Sequence, residues 1–329
     1  MKKNIYLISE LNKNKGLGHL MRLNYLSEYF KKNNNILFII KNKKLLIKNF
    51  IKYPILNFNN QNKNILLKNK RSVFILDTFR ITFEFREFFN KILPGNNKIV
   101  VNQNIPKNID YNYLIIPYFL SELNNEKSHG NNIISGKNAL IINQQLFNKK
   151  KIVNNKKFKI YINMGATDKK KFSLKILKIL KHFYDNKDFE IYIVIGPFFK
   201  RELKKKIITY KKKFKNIIIS NNQKNYIQIM KKCSLAIINS GNIKYEISCI
   251  GKPFILLSND ETSKKFCKFF TNQVYCDKFG DFEIPNELEI KKYIYNLKNN
   301  FSFIKKKFMN NKNYINDSKI KYLCQKIEK

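Results

Sequence analysis

The sequence predicts an α/β fold made of two open, mostly parallel sheets, one in each half of the chain. Three observations predict it. Short apolar runs of strand length alternate with stretches of helical spacing, and turns containing glycine or proline separate many of them. The runs are continuously apolar, as strands covered by helices on both faces read. A basic, asparagine-containing stretch, Lys149 to Lys157, breaks the alternation near the midpoint and reads as either a linker or a solvated turn. At 329 residues the chain is long enough for two domains that each bury a core, divided here as 1–150 and 151–329.

In the first half, Ile5 to Ile8 is the opening strand, followed by Gly16-Leu17-Gly18-His19. Met21, Leu23, Tyr25, Leu26, Tyr29 and Phe30 then mark an amphipathic helix. Ile36 to Ile40 reads as the second strand, and Val73 to Asp77 as a later one that ends on an acid. Phe83 to Ile92 has helical spacing, with Pro94-Gly95 as its stop signal. Ile99 to Val101 and Leu114 to Ile116 add two strands, while the polar stretch Asn124 to Asn138, with Gly130 and Gly136, reads as a loop.

The second half begins with a strand at Phe158 to Asn163, the loop Met164-Gly165-Ala166-Thr167-Asp168, and a helix from about Phe172 to Phe183. Strands follow at Phe189 to Ile195, closed by Gly196-Pro197, and at Ile217 to Ile219. Tyr226 to Lys232 is a short helix, and Leu235 to Ile238 a strand running into Ser240-Gly241. Tyr245 to Ile250 is helical, Gly251-Lys252-Pro253 turns the chain, and Phe254 to Leu257 is a strand. From about Glu287 the chain is lysine-rich helix with Tyr293, Leu297, Phe301, Ile304 and Phe308 at core spacing. Two such units joined by a linker place a ligand cleft between their carboxyl strand ends.

Composition narrows the function classes. Hydrophobic residues at 43% and aromatics at 14% suffice for a globular chain. The net charge of +42 raises a nucleic-acid reading. Arginine, however, occurs only at positions 22, 71, 80, 86 and 201, and lysine is enriched along the whole chain together with asparagine and isoleucine. A uniform bias of this kind differs from a phosphate-binding face of clustered arginines and stacking aromatics. No apolar segment reaches membrane-spanning length, and the first apolar run is broken at Ser9 and Glu10, too early for a signal-peptide core. A cytoplasmic location without membrane insertion is the expectation. The five cysteines, at 233, 249, 267, 276 and 324, form no C-x-x-C pair, and only three histidines occur, so no metal site or disulfide framework is expected.

The Gly16 to His19 loop is the first chemical signal. Glycines at Gly16 and Gly18 allow positive φ and close backbone approach, and a helix start offers unpaired N–H groups. The histidine there either works on a ligand or merely caps the turn. Asp77, at a strand end, either orients His19 and water or caps a helix. Arg22, one turn beyond His19, reaches either an acid or the ligand, or pairs on the helix surface.

Taken in order, Gly-x-Gly-His-x-x-Arg, Ile75-Leu76-Asp77, Met164 to Asp168, Ser240-Gly241 with Glu246 before Gly251-Lys252-Pro253, and Ser258-Asn259 resemble one family. It is that of the UDP-sugar hydrolases of the pseudaminic-acid pathway, the PseG/SpsG-like proteins, relatives of the MurG-type GT-B glycosyltransferases. The resemblance implies two Rossmann-like domains in a GT-B architecture, with UDP held mainly by the C-terminal domain and the sugar between domains. It implies hydrolysis of a UDP-linked 2,4-diacetamido-2,4,6-trideoxy hexose to UDP and free sugar for nonulosonic-acid synthesis, without metal or cofactor. The partner is then a small nucleotide sugar rather than a specific nucleic acid; the oligomeric state stays open.

On this resemblance His19 is the general base or water-orienting group, since imidazole titrates near working pH. Gly165, Ala166, Thr167 and Asp168 open a helix whose N–H groups stabilise the pyrophosphate, Ser240 and Gly241 add a second phosphate or sugar contact, Glu246 meets the ribose, and Asn259 touches the substrate. Read alone, Glu246 would be solvated surface. Two departures stand out. Ala166 replaces a usual glycine, and Asp260 stands where many relatives carry glutamine, an acceptor in place of a donor that bears on which sugar is accepted. His129 and His182 match no motif and read as structural or surface. The rival readings are a GT-B glycosyltransferase, separated by acceptor dependence, and a basic nucleic-acid-binding protein, separated by steeply salt-dependent binding.

Overall fold

A computed structural model describes residues 2–13, 16–30, 34–45, 51–103, 105–117, 132–147, 157–220, 226–272, 274–276, 278–280 and 287–328. The chain forms two compact units, Met1–Asn143 with Asn316–Lys329, and Gln144–Ile315. The expected boundary at 150/151 lies outside the described residues.

The first unit runs β1 (Asn4–Glu10), α1 (Gly18–Ser27), β2 (Asn35–Lys41), β3 (Ile55–Asn57), α2 (Asn60–Leu67), β4 (Val73–Asp77), α3 (Phe83–Asn90), β5 (Asn97–Val101), β6 (Tyr113–Ile116) and β7 (Ile133–Ser135). The strands form a parallel sheet in the order β3-β2-β1-β4-β5-β6-β7. Ile5, Leu7 and Ile8 in β1 and Phe74 to Leu76 in β4 are wholly buried, which is why both segments read as unbroken apolar runs. In α1, Leu20, Leu23 and Leu26 are buried at the spacing of one helix face. The strand order reverses between β1 and β4, where Ser9 pairs with Asp77, and a crevice outside such a reversal is where open α/β sheets bind ligands.

The second unit runs β8 (Phe158–Asn163), α4 (Phe172–Ile179), β9 (Phe189–Val194), α5 (Arg201–Lys213), β10 (Ile217–Ser220), α6 (Tyr226–Lys232), β11 (Leu235–Asn239), α7 (Ile243–Cys249), β12 (Phe254–Leu257), α8 (Glu261–Thr271), β13 (Lys278–Gly280), α9 (Glu287–Asn299) and α10 (Phe301–Met309). Its parallel sheet has the order β10-β9-β8-β11-β12-β13, again with a reversal, here between β8 and β11. Both units are therefore Rossmann-like, the fold class the alternation predicts.

Three features correct the sequence reading. Within the stretch expected to be a loop, Ile133–Ser135 forms the edge strand β7 on β6, because two β-branched residues suffice for a short edge strand. Residues 118–131 lie outside the description. The helix at 201–213 is hidden by its lysines, which leave only Leu203 and Ile207 buried. Finally, α11 (Ser318–Glu328) belongs to the first unit, not to the half of the chain it ends. It buries Ile320, Leu323, Cys324 and Ile327, and Tyr29 donates to Asp317 Oδ2 at 2.8 Å just before it.

Candidate functional site

The first unit gathers His19, Arg22 and Asp77 at the reversal of its sheet. After β1 the chain closes a bridge in which Gly16 N–H donates to Asn12 O at 3.1 Å, with Gly16 at φ 81°, a conformation that suits glycine. Gly18 starts α1, which brings His19 onto the first turn over the end of β4. Asp77, fully buried, accepts from His19 Nδ1 at 2.6 Å and from Arg22 through Nε at 2.8 Å and Nη2 at 2.8 Å. Arg22 is itself only 2% exposed, whereas the His19 side chain is 17% exposed. The strand end is pinned in turn by Ser9, whose hydroxyl donates to Asp77 O at 2.7 Å.

The protonation pattern follows from who can donate. Guanidinium has no acceptor, and Arg22 Nη2 also lies 2.8 Å from His19 Nδ1. With Nδ1 protonated, Asp77 accepts from both His19 and Arg22 and Nε2 is the basic nitrogen; the Nη2–Nδ1 approach is then a contact between two donors that share Asp77 Oδ1, not a hydrogen bond. Burial pushes the Asp77 carboxyl up, but Arg22 first and His19 second pull it the other way, and it ends below the ordinary carboxylate range. Arg22 is thus paired with a buried acid and is not a helix-surface pair. Phe79 sits edge-on to the His19 ring, 6.3 Å between centroids; sequence reasoning had no signal for it.

The second unit gathers its loops at the β8–β11 reversal. Gly165 has φ 78°, and its N–H donates to Asn163 Oδ1 at 2.9 Å. Asn239, the last residue of β11, ties two loops together, since its Nδ2 donates to Met164 O at 2.8 Å and its Oδ1 accepts from Gly241 N–H at 3.1 Å. A Cβ on Gly165 would stand 2.8 Å from Asn239 Nδ2, and one on Gly196 only 2.2 Å from Gly165 O. Gly196 therefore lets the loops after β8 and β9 pack backbone to backbone, locked by Phe198 N–H on Ala166 O at 2.9 Å, and Gly165 makes room for the Asn239 side chain. Asn163 and Asn239 were missed because asparagine is abundant throughout; their place at strand ends, each two residues before a glycine, was the available signal. Ala166 and Thr167 are half-buried in this loop.

Asp168 corrects an expectation. The loop does not open a helix directly, because α4 begins at Phe172 after Lys171 in the left-handed region. The buried Asp168 carboxylate accepts from Phe172 N–H at 2.8 Å and Ser173 N–H at 3.0 Å, so it already occupies that helix start. Burial raises its carboxyl, with the Ser173 and Phe172 bonds opposing. Ser240 and Gly241 lie at the end of β11, next to this loop. Glu246 is buried in α7 and accepts from Tyr226 Oη at 3.2 Å, so the surface reading is corrected. Asn259 follows β12, its N–H on Ser263 Oγ at 2.9 Å. Asp260 heads α8 in a capping box, accepting from Ser263 N–H at 2.7 Å, so its carboxylate serves the helix.

His129 lies outside the described residues, and His182 pairs at the surface with Glu287 at 2.8 Å. Among the described residues, no group of three or more His, Cys, Asp and Glu side chains is placed to hold a metal ion, and no helix is long and apolar enough to cross a membrane.

No protein-family model matches the sequence, and no curated protein matches it. Solved structures do match. MurG of Acinetobacter baumannii superimposes with a TM-score of 0.63 at 10% identity, covering 99% of each chain. The UDP-GlcNAc 2-epimerase of Neisseria meningitidis, solved bound to UDP-GlcNAc, gives 0.59 at 14% identity over 99% of each chain. The spinosyn forosaminyltransferase SpnP gives 0.57 at 10% identity over the whole of both chains. At such identities the likeness establishes the fold, two Rossmann-like units of GT-B type, and leaves the chemistry to the residues above.

Proposed function

We propose that this chain is an enzyme acting on a UDP-linked sugar, and that it hydrolyses it. The second unit takes the nucleotide diphosphate at its β8–β11 edge, with Gly165, Ala166, Thr167, Ser240 and Gly241 near the phosphates, Glu246 toward the ribose and Asn259 at the sugar side. Gly165 and Gly241, whose own amides are held by Asn163 and Asn239, leave the backbone room for the close approach of a diphosphate, whose charge grows as the sugar departs. His19 Nε2 takes a proton from water, the water oxygen bonds to the anomeric carbon, and the bond from that carbon to the β-phosphate oxygen breaks, releasing UDP. Asp77 holds the imidazole in the tautomer that this step needs, and Arg22 keeps Asp77 ionised.

The observation that carries the reading is the buried Arg22–Asp77–His19 relay, which presents one partly exposed imidazole at a sheet reversal. Support for UDP-sugar chemistry comes from structural neighbours described as a UDP-GlcNAc 2-epimerase bound to UDP-GlcNAc and as a UDP co-structure. The diacetamido-trideoxy hexose remains the preferred sugar, and a cytoplasmic site of action the preferred location. Incubation with a panel of UDP-, CMP- and GDP-sugars, with products identified by mass, tests both the nucleotide and the sugar.

A second reading, glycosyl transfer, is favoured by the transferases among the structural neighbours. In that case His19 would deprotonate an acceptor hydroxyl in place of water. UDP release that depends strictly on an added acceptor selects it.

A further inference from the structure

Lys244 lies in α7 and is 2% exposed, an unusual setting for an ammonium. Its Nζ donates to Ser240 O at 2.7 Å, and it stands 4.7 Å from the Tyr245 ring centroid and 5.8 Å from that of Phe270. A carbonyl and two ring faces, which are among its partners, stabilise a cation through dipole and quadrupole without carrying a full charge. Burying an ammonium is costly, and methionine would fill similar space without that cost. The Ser240 carbonyl that Lys244 grips belongs to the loop in which Asn239 Oδ1 fixes the Gly241 N–H.

We infer that Lys244 is a positioning residue for a diphosphate at the β11 loop, turning the Ser240 carbonyl away from the anion and holding a balancing positive charge behind it. The inference rests on the proposal that this edge is the nucleotide site. It concerns the diphosphate and not the base, so uridine is the natural control. A carbonyl oxygen facing the anion would repel it, whereas one tied back by an ammonium does not.

The test is calorimetric titration of UDP and of uridine into the wild-type protein, Lys244→Gln, Lys244→Met and Lys244→Arg, each first checked for cooperative melting. Gln keeps a donor toward Ser240 O without the charge, Met removes both, and Arg keeps the charge. UDP affinity is expected to fall about tenfold in Lys244→Gln, further in Lys244→Met, and to recover mostly in Lys244→Arg, the size of one charge-assisted contact. Uridine affinity should change less than about twofold. A Lys244→Gln protein that keeps the wild-type ratio of UDP to uridine affinity overturns the inference alone. A wild-type protein that binds neither ligand overturns the nucleotide-site proposal and the inference with it. If Lys244→Met does not melt cooperatively, the Gln and Arg pair decides.

Discussion

Replacing Asp77 by Asn removes the one charge on which the first unit's cluster is built. Asp77 is fully buried and accepts three hydrogen bonds from Arg22 and His19, and Arg22 is buried with it. The variant leaves a guanidinium in the interior facing an amide that has one acceptor oxygen instead of two. Breaking one side of a buried pair costs about 3–5 kcal/mol, so we take about 3 kcal/mol because one acceptor survives. For a unit of this size that is a melting shift of roughly 6–12 °C. The effect has a pH signature. The Asp77 carboxyl is held below its ordinary range in the fold, so its stabilisation is complete above the unfolded value near 4 and is lost as pH falls through the lower, folded value. Melting of both proteins from pH 7 to pH 2.5 should show the gap full at neutral pH and narrowing in acid. Turnover should fall about 10³- to 10⁴-fold, as when an acid that fixes a catalytic imidazole tautomer is lost. A gap under 1 kcal/mol at pH 7, or one that stays constant into acid, refutes the reasoning.

Other outcomes follow from the second unit. Asn239→Asp loses the donor to Met164 O and sets a negative charge between the two loops, so UDP affinity measured by calorimetry should drop about 10- to 100-fold. Gly196→Ala drives a Cβ to 2.2 Å from the Gly165 carbonyl, a backbone contact that cannot swing aside; denaturant titration should show a loss of about 3 kcal/mol or more, or no folded protein. Asp168→Ala strips the cap from the start of α4 and should cost about 1–2 kcal/mol in the same titration, its carboxylate being a cap.

Much of the architecture is legible because parallel strands covered on both faces must be apolar throughout. Ile5 to Ile8, Val73 to Leu76 and Phe254 to Leu257 announce themselves in that way. What escaped was hidden by composition or by distance. Lysine density masks α5, whose buried face is two residues wide. Asparagine abundance masks Asn163 and Asn239, although both end strands two residues before a glycine. Asp77 orienting His19, and Arg22 reaching an acid, were each one of several open readings; the sequence left the choice open because these positions lie more than fifty residues apart and only the β1–β4 pairing brings them together. Two acids have helix-capping roles that the sequence did not announce: Asp168, read for the N–H groups of its loop, and Asp260, read as bearing on the sugar accepted, spend their carboxylates on helix starts.

The most direct test of the account is the reaction of a UDP-linked 2,4-diacetamido-2,4,6-trideoxy hexose in ¹⁸O-labelled water, with no acceptor present, for the wild-type protein and His19→Ala. Water attack at the anomeric carbon gives UDP without label and free sugar carrying one ¹⁸O at that carbon, with the rate of His19→Ala lower by about 10² or more. Label in the β-phosphate, release of UDP only when an acceptor is added, or full activity in His19→Ala would contradict it.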